Sequence, residues 1–101
     1  MLGKVEKRLQ EMQLVLPASP MPVANYSPFV QVGSLVFVSG QLPIVNGKMD
    51  EYVGIVGSTI AVDKARVGAR IAAVNILAVL NSALEGDLDR VVRVVKIVGY
   101  V

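Results

Sequence analysis

The sequence predicts an α+β fold in which a mostly antiparallel sheet is covered on one face by helices. Three observations lead to this prediction. Short apolar runs bounded by turn residues occupy positions 29–56, one long helical pattern covers Val62–Leu84, and a β-branched run, Val91–Val101, follows that helix. The length of 101 residues is enough for a single domain, 1–101, and not for two.

The composition indicates a surface that is buried outside the domain's own core. Apolar residues make up 53% of the chain and charged residues 18%, which is more apolar than an ordinary soluble domain. A domain this small has too little interior to bury so many apolar side chains. We therefore expect an interface between copies of the chain.

Several classes of function are excluded by the residue types. The chain has neither cysteine nor histidine, which excludes disulfides, Ser-His-Asp triads and His/Cys metal sites, and we expect no metal and no cofactor. A net charge of +2 is too small to indicate a nucleic-acid partner. The N-terminus lacks a signal-peptide pattern and the longest apolar run, Ile71–Leu80, is too short to span a membrane. These features predict a cytoplasmic protein without a membrane partner.

An amphipathic helix is predicted over residues 2–13, because apolar residues recur there at three- and four-residue spacing while the other positions are mostly charged. The apolar positions are Leu2, Val5, Leu9 and Met12. We expect this helix to lie on the domain or on a neighbouring copy.

The stretch from Gly33 to Pro43 is the centre of the predicted sheet. Its four apolar residues, Leu35–Val38, predict a strand that is buried on both faces. Gly33-Ser34 fits a type II′ turn that pairs 29–32 with 35–39, and Asn46-Gly47 is the strongest hairpin signal in the chain. A weaker strand is predicted over Tyr52–Val56.

The second half of the chain is predicted to be one helix followed by one strand. The helix, about Val62–Leu84, has a stripe of mostly small residues that would let it approach the sheet closely, with Gly68 beside them. The stripe consists of Ala65, Ala69, Ala72, Ile76, Leu80 and Ala83. Gly86 is the predicted C′ residue of this helix, and Val91–Val101 is the predicted strand.

Few side chains are candidates for chemistry. Tyr26 and Ser39 both lie where the backbone changes direction, and spacing alone favours a half-buried anchor and a hydroxyl bonded to the main chain. Asn75, in an apolar helix, is expected to satisfy a buried backbone group or a contact between copies. Asp87 and Asp89 are predicted to face solvent.

Four stretches of the sequence resemble the reactive-intermediate deaminase family, also called the YjgF type or endoribonuclease L-PSP. They are Asn25–Pro28, Val32–Pro43, Ala73–Leu80 and Gly86–Arg93, of which the segment ending in Ser-Gly-Gln-Leu-Pro is the most specific. The N-terminal helix resembles that of a longer bacterial and archaeal branch.

The resemblance implies a chorismate-mutase-like fold assembled as a homotrimer. It also implies clefts between subunits that bind small carboxylates or imines, and hydrolysis of reactive enamines or imines such as 2-iminobutanoate and 2-iminopropanoate. The family pattern places ligand-binding roles on Tyr26, Ser39 and the backbone of Gly40.

The resemblance assigns no catalytic residue in this chain. The family domain continues with a second helix and closing strands, which carry an arginine that grips the substrate carboxylate and a glutamate implicated in water activation. The sequence stops at Val101, after the strand that follows the first long helix, and its arginines do not match that motif. We expect either a fragment or a shortened relative. A non-catalytic binding trimer and RNA cleavage stay open as alternatives.

Overall fold

The computed structural model describes residues 3–18 and 27–101, and the secondary structure is given for these residues. The helices and strands are, in chain order, α1 Lys4–Glu11, β1 Phe29–Val32, β2 Leu35–Val38 and α2 Val62–Ala83. Strands β1 and β2 pair antiparallel, and α2 packs against both of them. This arrangement confirms the predicted α+β class.

Both predicted tight turns are present. Val32 pairs with Leu35 across Gly33-Ser34, and Gly33 has a φ of 58°. A positive φ at the first central residue is what a type II′ turn requires, and glycine adopts it without strain. Val45 and Lys48 likewise exchange backbone hydrogen bonds of 2.8 and 3.0 Å across Asn46-Gly47.

The two faces of the β1–β2 hairpin differ in their environment. Phe29, Val36 and Val38 share the face that is half-buried, on the side of α2. The opposite face presents four apolar side chains that are 46–59% exposed: Val30, Val32, Leu35 and Phe37. We call these four residues the outer face of the hairpin. The prediction that Leu35–Val38 is buried on both faces is wrong, because no described residue covers the outer face.

The buried side of α2 differs from the predicted stripe. Gly68, Asn75, Ala78 and Val79 are its buried residues, whereas Ala69 is exposed. Gly68 permits a close approach as expected, but the neighbour is the loop before the helix rather than the sheet. A Cβ built on Gly68 would lie 3.1 Å from Cβ of Tyr52.

Helix α2 ends in a Schellman motif in which Glu85, and not Gly86, is the C′ residue. The Glu85 N–H donates to Ser82 O at 3.3 Å and the Gly86 N–H donates to Asn81 O at 2.8 Å. Glu85 has a φ of 55° and Gly86 a φ of 86°. Two successive left-handed residues therefore follow the helix. The observed C′ residue lies one position before the predicted one.

Replacing Glu85 with glycine should therefore stabilise the protein by about 1 kcal/mol, because the left-handed conformation is strained for a residue with a Cβ. Chemical denaturation measures this gain. The Glu85→Ala variant is the control, since it removes the charge but keeps the Cβ. An equal gain in both variants would contradict the backbone explanation.

Helix α1 is held against the turn that follows α2. Its one buried residue, Leu9, packs with Leu84 and Leu88. The Asp89 carboxylate accepts hydrogen bonds from the backbone N–H groups of Lys4, at 2.8 Å, and Val5, at 2.9 Å. Gly3 leaves room for this carboxylate, because a Cβ there would collide with it.

Asp89 is exposed, as predicted, and it also has a structural role. It supplies the hydrogen-bond acceptors that the first turn of α1 lacks, since the N-cap, Gly3, has no side chain. The N–H groups of Val5 and Lys4 stabilise the ionised carboxylate and lower the pKa of Asp89 below its ordinary value of 3.8.

An Asp89→Asn variant should lose part of this contact and show a weaker acid dependence of its melting temperature. The folded pKa of Asp89 is depressed, so its contribution is present above the unfolded value near 3.8 and is lost as the pH falls through the folded pKa. Melting curves from about pH 6 to about pH 2 measure the effect. An Asp50→Asn control should retain the wild-type profile. Identical profiles for all three proteins would contradict the assignment.

Two predicted strands are absent from the described structure. Residues Asp50–Tyr52 form a 3-10 turn, and Val56 makes only an isolated bridge to Ile60, so the segment Tyr52–Val56 is not a strand. Residues Val91–Val101 are exposed and pair with no described strand. A strand requires hydrogen-bond partners alongside it, and the hairpin does not reach this segment.

Candidate ligand site at the end of strand β2

Ser39 follows β2 directly and is fixed to the segment before β1. Its backbone N–H donates to Pro28 O at 3.0 Å, and its hydroxyl donates to Ser27 O at 2.6 Å. Gln41 Nε2 donates to Ser39 O at 3.2 Å. The hydroxyl proton of Ser39 is thus committed to the main chain, and its oxygen lone pairs are what it can offer to a ligand in this arrangement.

Gly40 presents an open backbone beside Ser39. The residue is exposed, and a Cβ built on it would meet no atom of the described residues within 4 Å. Among residues 3–18 and 27–101, no acceptor for the Gly40 N–H is found. A ligand oxygen has both the space and a donor at this position.

Tyr26, the third residue predicted to bind ligand, lies outside the described residues. Ser39 and Gly40 are adjacent in the chain and lie at the end of β2. The position of Tyr26 beside them stays a prediction.

Asn75 joins the segment after Gly40 to helix α2. Its side-chain nitrogen donates to Leu42 O at 2.9 Å and to Ile44 O at 3.2 Å, while the residue is only 5% exposed. Of the two roles predicted for Asn75, the bond to backbone groups is the one that the described residues show. Its two acceptors could not be identified from the sequence, because they lie 33 and 31 residues away along the chain.

Two surface depressions of the described chain lie away from Ser39 and Gly40. One is bordered by Gly3, Glu6 and the turn Gly86–Asp89, and another by residues 45–52 apart from Gly47.

An ion pair lies beside the second depression, where Lys64 Nζ is 2.8 Å from Glu51 Oε2. The Lys64 hydrogen bond and charge lower the pKa of Glu51, and the same contact raises the pKa of Lys64. Both side chains are exposed, so this pair describes a surface contact.

Within the described residues, no group of three His, Cys, Asp or Glu side chains is arranged to hold a metal ion. The same residues contain no helix long and apolar enough to cross a membrane.

The α+β fold and the sequence motifs around Ser39 and Asn75 are those of one protein family. Residues 6–101 match the family described as "YjgF/chorismate_mutase-like, putative endoribonuclease". The chain belongs to this YjgF/chorismate-mutase-like family, as the resemblance in its motifs predicts.

Similar proteins occur in protozoa and bacteria. Protein TCP17 of Trypanosoma cruzi is 40% identical over 97 residues, covering 94% of this chain and 58% of that protein. The crystal structure of "a putative endoribonuclease" from Shewanella oneidensis MR-1 has a TM-score of 0.76 and 36% identity, covering 84% of this chain and 55% of that one. Atu1372 of Agrobacterium tumefaciens, a protein of unknown function, has a TM-score of 0.70 and 45% identity over 83% of this chain and 50% of its own. The chain thus spans between 50% and 58% of the length of these relatives.

Proposed function

We propose that this chain forms part of a homotrimeric deaminase whose clefts between subunits bind small carboxylates. The proposed substrates are reactive enamines and imines derived from amino acids. The observation that carries the proposal is the open Gly40 backbone next to an immobilised Ser39, at the end of β2. A cytoplasmic location is part of the proposal.

The proposed chemistry needs fixed donors more than it needs a strong acid or base. A substrate carboxylate accepts a hydrogen bond from the Gly40 N–H, which holds the imine carbon in one place. Water adds to that carbon, the carbon–nitrogen bond then breaks, and 2-iminopropanoate gives pyruvate and ammonia. The Ser39 oxygen lone pairs are available to accept a hydrogen bond from the attacking water, whose two protons pass to the nitrogen that leaves as ammonia.

The proposed trimer is supported by the outer face of the hairpin. Four apolar side chains that are 46–59% exposed form a continuous patch across both strands. Apolar patches of this kind mark interaction surfaces in soluble proteins. A second and third copy of the chain are the proposed occupants, and their contact completes the cleft at Gly40.

The test of this proposal is the hydrolysis of freshly generated 2-iminopropanoate, with pyruvate binding followed by NMR. We expect a Gly40→Ala variant to fold normally, because its Cβ meets no atom of residues 3–18 and 27–101. It should bind pyruvate about tenfold more weakly, because the Cβ occupies ligand space. Gly99→Ala is the matched control, since a Cβ there also meets nothing within 4 Å.

Each outcome separates the candidate functions. Pyruvate binding that Gly40→Ala weakens, without any acceleration of hydrolysis, would identify a non-catalytic binding protein. No binding by the unmodified chain would refute the carboxylate site. An equal loss in Gly99→Ala would show that Gly40 has no special role.

RNA cleavage is the second candidate, because the matching family and the Shewanella relative are both described with the words "putative endoribonuclease". It requires RNA binding that weakens steeply with salt. The net charge of +2 does not favour such binding. Degradation of a labelled RNA by the purified chain, with that salt dependence, would support this candidate over the first.

A further inference from the structure

The buried side chain of Asn75 donates both of its amide hydrogens to one short segment of the main chain. Its nitrogen lies 2.9 Å from Leu42 O and 3.2 Å from Ile44 O. Polar groups this deeply buried are costly unless paired, and an asparagine in the middle of a helix gains nothing from helix propensity. The presence of asparagine at position 75 is therefore explained by its hydrogen bonds to the segment Leu42–Ile44.

That segment is compact and begins three residues after Ser39. The Ile44 N–H donates to Leu42 O at 2.8 Å, which closes a three-residue turn around Pro43. Leu42 O thus accepts from both Ile44 and Asn75.

The chain between Ser39 and Leu42 is fixed at its two ends by different parts of the fold. Ser39 is tied to Ser27 and Pro28 beside β1, whereas Leu42 is tied to α2 through Asn75. Gly40 and Gln41 are the two residues between these attachments. Fixing both ends of so short a stretch leaves the Gly40 N–H few directions in which to point.

We propose that Asn75 is a positioning residue, which orients the Gly40 backbone for the carboxylate without touching the ligand. The inference rests on the proposed ligand site and adds the reason why that site is ordered before ligand arrives. Without the amide, Leu42 O and Ile44 O lose their side-chain donor, and the ligand must then order residues 40–44 itself. Ordering of this kind weakens affinity, because its entropy cost is subtracted from binding.

The experiment compares Asn75→Asp and Asn75→Ala with Asn81→Asp. Asn81 is a half-buried asparagine on α2 whose side chain bonds to no residue of the described chain, so the same chemical change there is the matched control. We measure pyruvate affinity by NMR at a temperature where every variant is folded. Amide exchange is followed at Ile44, whose N–H bonds within the turn, and at Ser39, whose N–H bonds to Pro28.

Both Asn75 variants should bind pyruvate about tenfold more weakly, with faster exchange at Ile44 and unchanged exchange at Ser39. Asn81→Asp should match the unmodified chain. If Asn75→Asp does not fold, Asn75→Ala, which buries no charge, decides the question.

Lowered stability with unchanged pyruvate affinity and unchanged Ile44 exchange would overturn the proposal, since Asn75 would then be only structural. If the unmodified chain does not bind pyruvate, the proposed ligand fails separately. Exchange at Ile44 then decides whether Asn75 orders this segment, and unchanged exchange overturns that too.

Discussion

A Leu88→Ala variant is expected to lose about 3 kcal/mol of unfolding free energy, which is the typical cost of truncating a buried leucine. Leu88 is 3% exposed and packs with Leu9 and Leu84, where α1 meets the end of α2. Truncation removes apolar contacts and leaves a cavity that two helices border. The loss should appear in chemical denaturation as a lower midpoint with an unchanged slope.

Val92→Ala is the control for this prediction. Val92 lies four residues further along the chain and is 95% exposed, so its truncation should change the unfolding free energy very little. Comparable losses in the two variants would contradict the position of the core. They would show instead that the exposed run after residue 90 is packed in solution.

A Phe37→Asp variant is expected to abolish the proposed trimer. Phe37 is 58% exposed on the outer face and pairs with Val30 across the hairpin. Burying three unpaired carboxylates in an apolar interface should weaken association by more than about a hundredfold. Sedimentation should show a change from three times the 10.7 kDa chain mass to a single chain mass.

The control for the trimer prediction is Gln31→Glu. Gln31 lies on the opposite face of the same hairpin and is exposed, so this variant adds the same charge without entering the proposed interface. Dissociation caused by both variants would indicate a general charge effect. An unmodified chain that sediments as a single copy would refute the trimer.

Features that depend on neighbouring residues could be predicted from the sequence. Gly33-Ser34 and Asn46-Gly47 determine their turns through the backbone conformations that glycine and asparagine adopt, and both turns are present. The spacing of apolar residues also predicts both helices, closely for α2 and with about two residues too many at the C-terminal end of α1.

Features that depend on distant residues could not be predicted in the same way. The β-branched run Val91–Val101 has the composition of a strand, but no described strand lies beside it to accept its hydrogen bonds. The Asp89 contact joins residues 85 positions apart, and no sequence pattern near either residue predicts it. The C′ residue is Glu85 with a φ of 55°, although glycine is the residue type that normally indicates this position.

The same distinction between local and distant features applies to the candidate site. Ser39 and Gly40 were placed by the family motif, and an asparagine buried in an apolar helix predicts a backbone partner. The identity of that partner follows only from the packing of α2 against the segment Leu42–Ile44.

The bond between Asp89 and the first turn of α1 has a consequence for the order in which the protein assembles during synthesis. The eight residues of α1 are too few to stay helical alone, yet they leave the ribosome well before Asp89 and Leu88 do. Helix α1 is therefore seated only after residues 84–89 have been translated. Until then the nascent chain carries an unpaired amphipathic segment.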